Sequence, residues 1–155
     1  MVGFRIDELM SGHHMLGVDG KERPMSFNIT WGPDDILKWL NPFSDSFLTQ
    51  ELSGTVTIGG LCTDVPCSGT LELLYFTKQK IRYTFTFNTL SVDRNSVSRF
   101  RFVGEKINLR PWNLHRTHTT CYGELWLNNR SISKSVTYFK LNTLLKFLSS
   151  FRFIK

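Results

Sequence analysis

Strict alternation of apolar and polar residues is the feature that most constrains this fold. Between Met25 and Trp31, four large apolar residues alternate with three polar ones. Successive side chains of a β-strand point to opposite faces, so a period of two predicts a strand with one buried and one solvated face. Residues 81–87 and 97–103 repeat this pattern with Phe and Tyr at several apolar positions.

About eight such segments follow one another at short spacing, with turn residues between them. The predicted strands cover residues 4–10, 25–31, 52–58, 71–75, 81–87, 97–103, 122–127 and 132–141. Many short strands separated by turn signals are typical of a sandwich or a barrel. Because 155 residues fit one domain, we predict a mostly β fold, a single antiparallel barrel over residues 1–155. Residues 62–68, which include Pro66, are predicted to form a loop.

Two segments break the alternation and predict helices. Proline and acidic residues at 33–35 precede an apolar run at 36–40, and Asn41-Pro42 ends it, which indicates a short inserted helix. Near the C-terminus, Asn142 is a candidate N-cap, and residues 143–152 contain neither Gly nor Pro. Helical spacing places one apolar stripe there, made of Leu144, Leu145, Leu148 and Phe151. That stripe could cover the barrel, or it could be presented to a membrane or a partner.

The net charge and the cysteine content indicate which partners and which cellular compartment to expect. The net charge is +6, but the basic residues are scattered, so no nucleic-acid partner is predicted. No run of about 18 apolar residues predicts a membrane-spanning helix, and residues 1–10 lack the pattern of a signal peptide. Three cysteines without a secretion signal indicate reduced thiols, so we predict a cytoplasmic protein with Cys62 and Cys67 as surface thiols.

Few residues form a recognisable catalytic or metal-binding pattern. The adjacent His13 and His14 are predicted to be exposed loop residues, and no metal or cofactor is predicted. Asp7 and Glu8 fall on opposite faces of a strand, so one of them is predicted to be a buried carboxylate. We predict that it is paired structurally, with an arginine as one candidate partner, and the alternative is a functional carboxylate. Gly104 is predicted to have a positive φ at a strand end, and Lys106 to point toward a carboxylate.

Short pieces along almost the whole chain resemble a known family, in the same order. They are Phe4–Gly12, Met25–Trp31, Asp35–Leu40, Leu52–Val56, Gly69–Leu73, Arg82–Phe87, Gly104–Lys106, Thr119-Thr120 and Leu144–Phe153. Together they resemble an accessory β-domain found beside bacterial flavin oxidoreductases of the glucose–methanol–choline class, which are cholesterol-oxidase-like proteins. The aspartate that precedes the threonine pair in that family is replaced here by Thr117 or His118, and the leucine after the pair by Cys121.

The resemblance implies lipid or sterol chemistry beside a flavoenzyme. The chain has no flavin-binding glycine motif and is therefore not predicted to be the oxidoreductase itself. We predict a non-enzymatic domain that binds an apolar small molecule such as a lipid or sterol, an oxidoreductase partner, or both, with peripheral membrane contact through the C-terminal helix. The predicted ligand-lining residues are Phe27, Ile29, Trp31, Tyr83, Phe85, Phe100 and Phe102. The alternative is a cofactor-free barrel enzyme, such as an isomerase or cyclase, acting on a lipid-like substrate.

Overall fold

A computed structural model describes residues 1–90 and 96–155 and contains a closed antiparallel barrel of eight strands. Neighbouring strands in the sequence are neighbours in the barrel, and β1 closes it by pairing with both β2 and β8. The strands are β1 (Gly3–Leu16), β2 (Glu22–Trp31), β3 (Thr49–Ile58), β4 (Cys62–Leu74), β5 (Lys80–Leu90), β6 (Val97–Lys106), β7 (Thr120–Leu127) and β8 (Arg130–Tyr138). The predicted barrel is confirmed.

Three short helices and a ninth strand complete the described part of the chain. They are α1 (Ile36–Trp39), α2 (Leu114–Thr117), α3 (Leu144–Ser149), preceded by a 3-10 turn (Leu141–Thr143), and β9 (Arg152–Ile154). The Asp35 carboxylate caps α1 by accepting the N–H groups of Leu37 and Lys38, as the acidic start predicts. Among the described residues, no helix is long and apolar enough to cross a bilayer.

The barrel interior follows from the alternation of each strand. Inward positions are filled by large apolar side chains, with one cluster joining Met10, Phe27, Leu52, Leu71, Phe85, Phe100 and Phe102 among others. The aromatic side chains contact one another: the rings of Phe85 and Phe102 stack with centroids 4.7 Å apart, and Phe27 lies 5.5 Å from Phe85. Burial of these rings on folding is the main apolar contribution to stability.

The C-terminal segment fills a gap in the barrel wall. β1 pairs with β8 only from Ser11 to Leu16 and with β9 only from Gly3 to Arg5. Between these two pairings, the Asp7 N–H donates to the Ser150 hydroxyl at 2.9 Å. The ring of Phe151 also stacks on Phe4 at 5.3 Å. The last residues therefore continue the sheet where β8 has separated from β1.

The prediction of a loop at 62–68 was wrong. These residues form the first half of β4, which pairs with β3, and Pro66 lies opposite Thr55. The pairing shifts register between Val56 and Ile58, close to the proline. A bulge of this kind is where a sheet tolerates proline, so turn-forming residues do not end the strand.

The surface thiols expected at Cys62 and Cys67 were also wrong. Cys67 is buried in the barrel core, and Cys62 is only partly accessible. Burial raises the pKa of the Cys67 thiol to about 11 and raises that of Cys62. Because the thiolate is the reactive form, burial lowers the reactivity of both thiols in the folded protein.

His14 is not the exposed loop residue that its sequence context indicates. β1 continues through the pair of histidines, and its alternation turns His13 outward and His14 inward. The His14 ring is fully buried, with Nδ1 2.8 Å from the Ser133 hydroxyl and Nε2 2.8 Å from the Gly59 carbonyl. His14 is therefore a hydrogen-bonded core residue.

We expect the protein to lose stability in mild acid through His14. Burial lowers the pKa of His14 below its ordinary 6.5. As the pH falls, His14 therefore gains its proton in the unfolded chain before it does so in the folded protein, which favours unfolding. The melting temperature should fall between about pH 7.5 and about pH 5.5. The fall should be smaller in His14→Gln. Some fall should remain in this variant, because burial also lowers the pKa of His118. Equal pH dependence in His14→Gln and the wild type would contradict this assignment.

Candidate functional site

One end of the barrel carries all the long connections of the described chain, and we call this end the barrel mouth. In an antiparallel meander, alternate connections lie at alternate ends. The connections 32–48, 75–79 and 107–119 and the segment 139–155 therefore meet at the mouth. At the opposite end, the connections 17–21, 59–61 and 128–129 are short turns.

The mouth connections contact one another and form a layer over the barrel. The Phe47 and Phe76 rings, from two different connections, stack at 6.3 Å. The Tyr75 hydroxyl lies 3.1 Å from Nε2 of His118. The Leu109 N–H donates to the Gln79 carbonyl at 2.9 Å, and Leu109 is buried beneath the layer.

The outer surface of this layer is unusually apolar. Five large side chains at the tips of the connections, which we call the apolar rim, are exposed: Leu37, Leu40, Phe43, Phe76 and Trp112. Phe43 is 97% exposed and Phe76 is 81% exposed. Single exposed apolar residues are common, whereas several at one end of a domain mark an interaction site.

The mouth is also the basic end of the molecule. Its four segments contain eight Lys and Arg residues and three Asp residues. The basic residues are Lys38, Lys78, Arg110, Arg116, Lys140, Lys146, Arg152 and Lys155. The three short turns at the opposite end contain only Asp19 and Lys21 as charged residues. The three connections that carry the apolar rim contain four basic and three acidic residues, so most of the excess positive charge belongs to the C-terminal segment 139–155 beside them.

The predicted C-terminal apolar stripe is oriented toward solvent. α3 packs on the barrel wall through Phe147, whose ring meets Phe139 edge-to-face at 5.1 Å. Leu144, Leu145 and Leu148 are exposed on the other side of the helix, with Leu145 at 81%. The helix itself is shorter than predicted, and its N-cap is Thr143 rather than Asn142, without a side-chain capping bond. The stripe extends the apolar surface of the mouth along the flank.

A polar cluster lies inside the barrel near the mouth. Glu8 is the inward member of the pair Asp7 and Glu8, and it is 5% exposed. Its Oε1 accepts the Tyr83 hydroxyl at 2.6 Å and the Lys106 ammonium at 3.3 Å. Lys106, itself 4% exposed, also lies over the Tyr83 ring at 5.3 Å. The predicted orientation of Lys106 toward a carboxylate is confirmed, and the buried carboxylate has a lysine as its partner.

Three further titratable groups adjoin this cluster. Burial and the charge on Lys106 lower the pKa of His118, while burial raises the pKa of Tyr75 to about 12. Burial also raises the pKa of Cys121 to about 12. Around neutral pH these three groups are therefore uncharged, and they surround the ion pair of Glu8 and Lys106. The inward carboxylate therefore has a salt-bridge partner in the barrel interior, and the alternative of a lipid-processing enzyme stays a prediction.

The seven predicted ligand-lining residues all belong to the interior. Six of them are almost completely buried, and Trp31 is partly buried at the mouth. Their rings pack against one another: the Phe27 ring centroid lies 5.8 Å from that of Tyr83 and 5.6 Å from that of Phe102. A ligand among them would have to displace these rings. Ligand binding by these residues stays a prediction.

Sequence reasoning missed the apolar rim. Its members lie in three connections that are far apart in the sequence: Leu37, Leu40 and Phe43 in 32–48, Phe76 in 75–79 and Trp112 in 107–119. Within residues 1–90 and 96–155, no group of three or more His, Cys, Asp or Glu side chains is arranged to hold a metal ion. Comparisons with protein-family models, with curated proteins and with solved structures find no match to this chain.

Proposed function

We propose that the protein is a non-enzymatic peripheral domain that docks with its barrel mouth on an anionic lipid surface. The observation that carries this proposal is the coincidence of the apolar rim and the excess of basic residues at one end. An interfacial protein needs apolar side chains that enter the headgroup region and cations that meet lipid phosphates. The mouth supplies both, whereas the described turns at the opposite end (17–21, 59–61 and 128–129) carry one large exposed apolar side chain, Val18, and no excess of basic residues.

The expected free energies favour binding through apolar and basic side chains together. Burying an exposed Phe or Leu side chain contributes about 1.5–3 kcal/mol, and each Lys or Arg near an anionic surface contributes about 1 kcal/mol. Either term alone gives reversible, marginal binding, whereas two together give a stable peripheral contact. The stripe on α3 adds Leu145 and Leu148 to the apolar term and Lys146 to the basic one.

Vesicle co-sedimentation tests the proposal. The protein should pellet with vesicles of phosphatidylcholine and phosphatidylserine, and much less with phosphatidylcholine alone. Binding should weaken as salt is added, because ions screen the basic residues. Phe43→Ser should weaken binding by about tenfold or more, since the lost apolar contact corresponds to at least about 1.4 kcal/mol.

Val18→Ser provides a matched control. Val18 is 76% exposed in the short turn at the opposite end, so its replacement removes exposed apolar surface without touching the mouth. It should leave vesicle binding unchanged. If Phe43→Ser and Val18→Ser bind vesicles equally well, the mouth is not the docking surface. Equal binding to neutral and anionic vesicles would refute the role of the basic residues.

A second candidate is docking to a protein, such as the flavin oxidoreductase that the family resemblance implies. A groove of about 640 Å³ runs over the outer faces of β1, β6, β7 and β8. Its apolar lining residues are Met15, Val103, Ile107, Tyr122, Trp126 and Val136. Charges of both signs border it, including Arg101 over the Trp126 ring at 5.6 Å. A border of mixed charge suits a protein surface better than a lipid one.

A further inference from the structure

The groove over the outer faces of β1, β6, β7 and β8 is built from regular rows of side chains. Strand register places one outward residue of each strand in every row. The row nearer the mouth consists, from β6 to β1, of Glu105, Tyr122, Val136 and His13. The next row consists, in the same order, of Val103, Glu124, Lys134 and Met15. Because directly paired residues are neighbours, these registers specify the surface pattern of the groove.

Glu124 and Lys134 lie on the two middle strands, at the centre of the groove. They are cross-strand neighbours, yet within residues 1–90 and 96–155 neither of them forms a salt bridge. The Glu124 carboxylate instead accepts the Ser131 hydroxyl at 2.8 Å, and Lys134 is exposed. Apolar side chains, Tyr122 and Val136 among them, flank the two charges. The groove therefore offers a carboxylate and an ammonium to a partner that carries the complementary pair.

We infer that the groove binds a second copy of the chain, related by a two-fold axis that runs parallel to the strands between β7 and β8. This occupant goes beyond lipid docking and differs from the oxidoreductase considered above. Rotation about that axis keeps every row at its own height and reverses the order of the strands. Glu124 then faces the second copy's Lys134, and Lys134 faces the second copy's Glu124. Since a two-fold interface makes each contact twice, two intermolecular ion pairs form.

The same axis places large side chains opposite small ones. Tyr122, which is 51% exposed, faces the second copy's Val136. Met15, which is 45% exposed, faces the second copy's Val103. Both valines are only partly exposed, so each protruding side chain meets a shallow position. Sheets pack face to face about 10 Å apart with interdigitating side chains, and a large residue opposite a small one suits this spacing.

The charges also select the direction of the axis. An axis that crosses the strands at the level of Glu124 would place Glu124 opposite itself and Lys134 opposite itself, and like charges in direct opposition repel. The parallel axis avoids this repulsion and leaves the strand direction unchanged, so both barrel mouths point the same way. The dimer therefore presents two mouths to one lipid surface, and two linked contacts bind more tightly than one.

The small size of the groove implies weak self-association. Neighbouring strands lie about 4.8 Å apart and alternate residues of a strand about 7 Å apart, so two rows over four strands cover a patch of about 14 by 19 Å. Contacts of this size are weak and transient. We expect a dissociation constant between about 10 μM and about 1 mM, so self-association has to be measured over a range of protein concentrations.

Analytical ultracentrifugation of the intact protein without lipid tests the inference. The weight-average mass should rise with concentration from that of a monomer toward that of a dimer. Glu124→Lys and Lys134→Glu should each weaken self-association by about tenfold or more, because each places like charges opposite one another twice. Glu51→Lys is the matched control and should dimerise as the wild type does. Glu51 is exposed on β3, on the opposite wall of the barrel, and its substitution changes the net charge as Glu124→Lys does.

A mixture of the two reversed variants provides the decisive comparison. Equal amounts of Glu124→Lys and Lys134→Glu should form a mixed dimer about as strongly as the wild type forms its own. In that dimer the new lysine of one variant faces the new glutamate of the other, and the unchanged residues face each other as before. The double variant Glu124→Lys/Lys134→Glu should likewise regain self-association, because it restores opposite charges at both contacts.

Three outcomes would overturn the inference. A wild type that stays monomeric at every concentration leaves the groove to another protein, such as the oxidoreductase. A dimer that both single reversals leave intact does not use this groove. Single reversals that abolish the dimer without recovery in the mixture show that the two charges do not face each other. Because no lipid is present, lipid docking is judged separately: Phe43→Ser should dimerise as the wild type does while it loses vesicle binding.

Discussion

Glu8→Gln should lower the free energy of unfolding by about 3–5 kcal/mol, one of the two largest effects we expect. The substitution leaves the Lys106 ammonium without its carboxylate in the barrel interior, where the charge is shielded from water. It also weakens the bond that Tyr83 donates at 2.6 Å. Urea unfolding followed by tryptophan fluorescence measures the loss.

Two comparisons separate the ion pair from a general effect of mutation. Asp7→Asn removes the neighbouring carboxylate, which faces solvent 3.4 Å from Arg152 and is about half exposed. An exposed pair contributes about 0–1 kcal/mol, so this variant should be nearly as stable as the wild type. The double variant Glu8→Gln/Lys106→Met should recover much of the loss, because it leaves no unpaired buried charge. A Glu8→Gln cost no larger than that of Asp7→Asn would show that the pair has no structural role.

Much of this cluster could be predicted from local sequence. The alternation of β1 places Asp7 and Glu8 on opposite faces, so that one of the two carboxylates is buried. The sequence also predicts that Lys106 points toward a carboxylate. The identity of the pair could not be predicted, since Glu8 on β1 and Lys106 on β6 meet only across the closed barrel. Alternation specifies the face of a strand, whereas barrel closure determines which inward side chains touch.

The barrel mouth shows the same limit more clearly. Phe43, Phe76 and Trp112 each occur in a different connection, where a single apolar residue has no periodic pattern. Only the up-and-down order of the strands brings these connections to one end. If the meander is assumed, alternate connections lie at the same end of the barrel. Counting the charged residues in each group then predicts from the sequence which end is basic. α3 packs on the barrel through Phe147 rather than through its leucines because of the gap in the wall between β8 and β1. The sequence does not reveal this gap.

The prediction that Gly104 has a positive φ was wrong, and its correction identifies a packing device. Positive φ glycines in the described chain are Gly20, Gly32 and Gly60, whereas Gly104 is extended within β6. A Cβ at Gly104 would lie 2.6 Å from the Phe102 ring and 2.7 Å from the Cys121 sulfur. Gly104 pairs directly with Gly123 of β7, so the two glycines together make room for one aromatic ring.

Gly123→Ala should therefore destabilise the protein by about 1–3 kcal/mol. Its Cβ would approach Cζ of Phe102 to 2.5 Å and the Ser135 hydroxyl to 2.6 Å, and the Phe102 ring stacks on Phe85. The ring cannot retreat without disturbing its buried neighbours, because cores are close-packed. Thermal and urea unfolding measure the loss of stability.

Gly17→Ala is the matched control, because a Cβ there would meet only the Ile132 carbonyl oxygen at 3.7 Å. That substitution should be neutral or stabilise by about 0.4–1 kcal/mol, since it restricts the unfolded chain without a clash. Phe102→Leu removes the ring from above the glycine pair, so Gly123→Ala should cost less in that background than in the wild type. If the cost is the same in both backgrounds, the Phe102 ring is not what requires glycine at position 123, and close packing of the ring over the glycine pair is refuted.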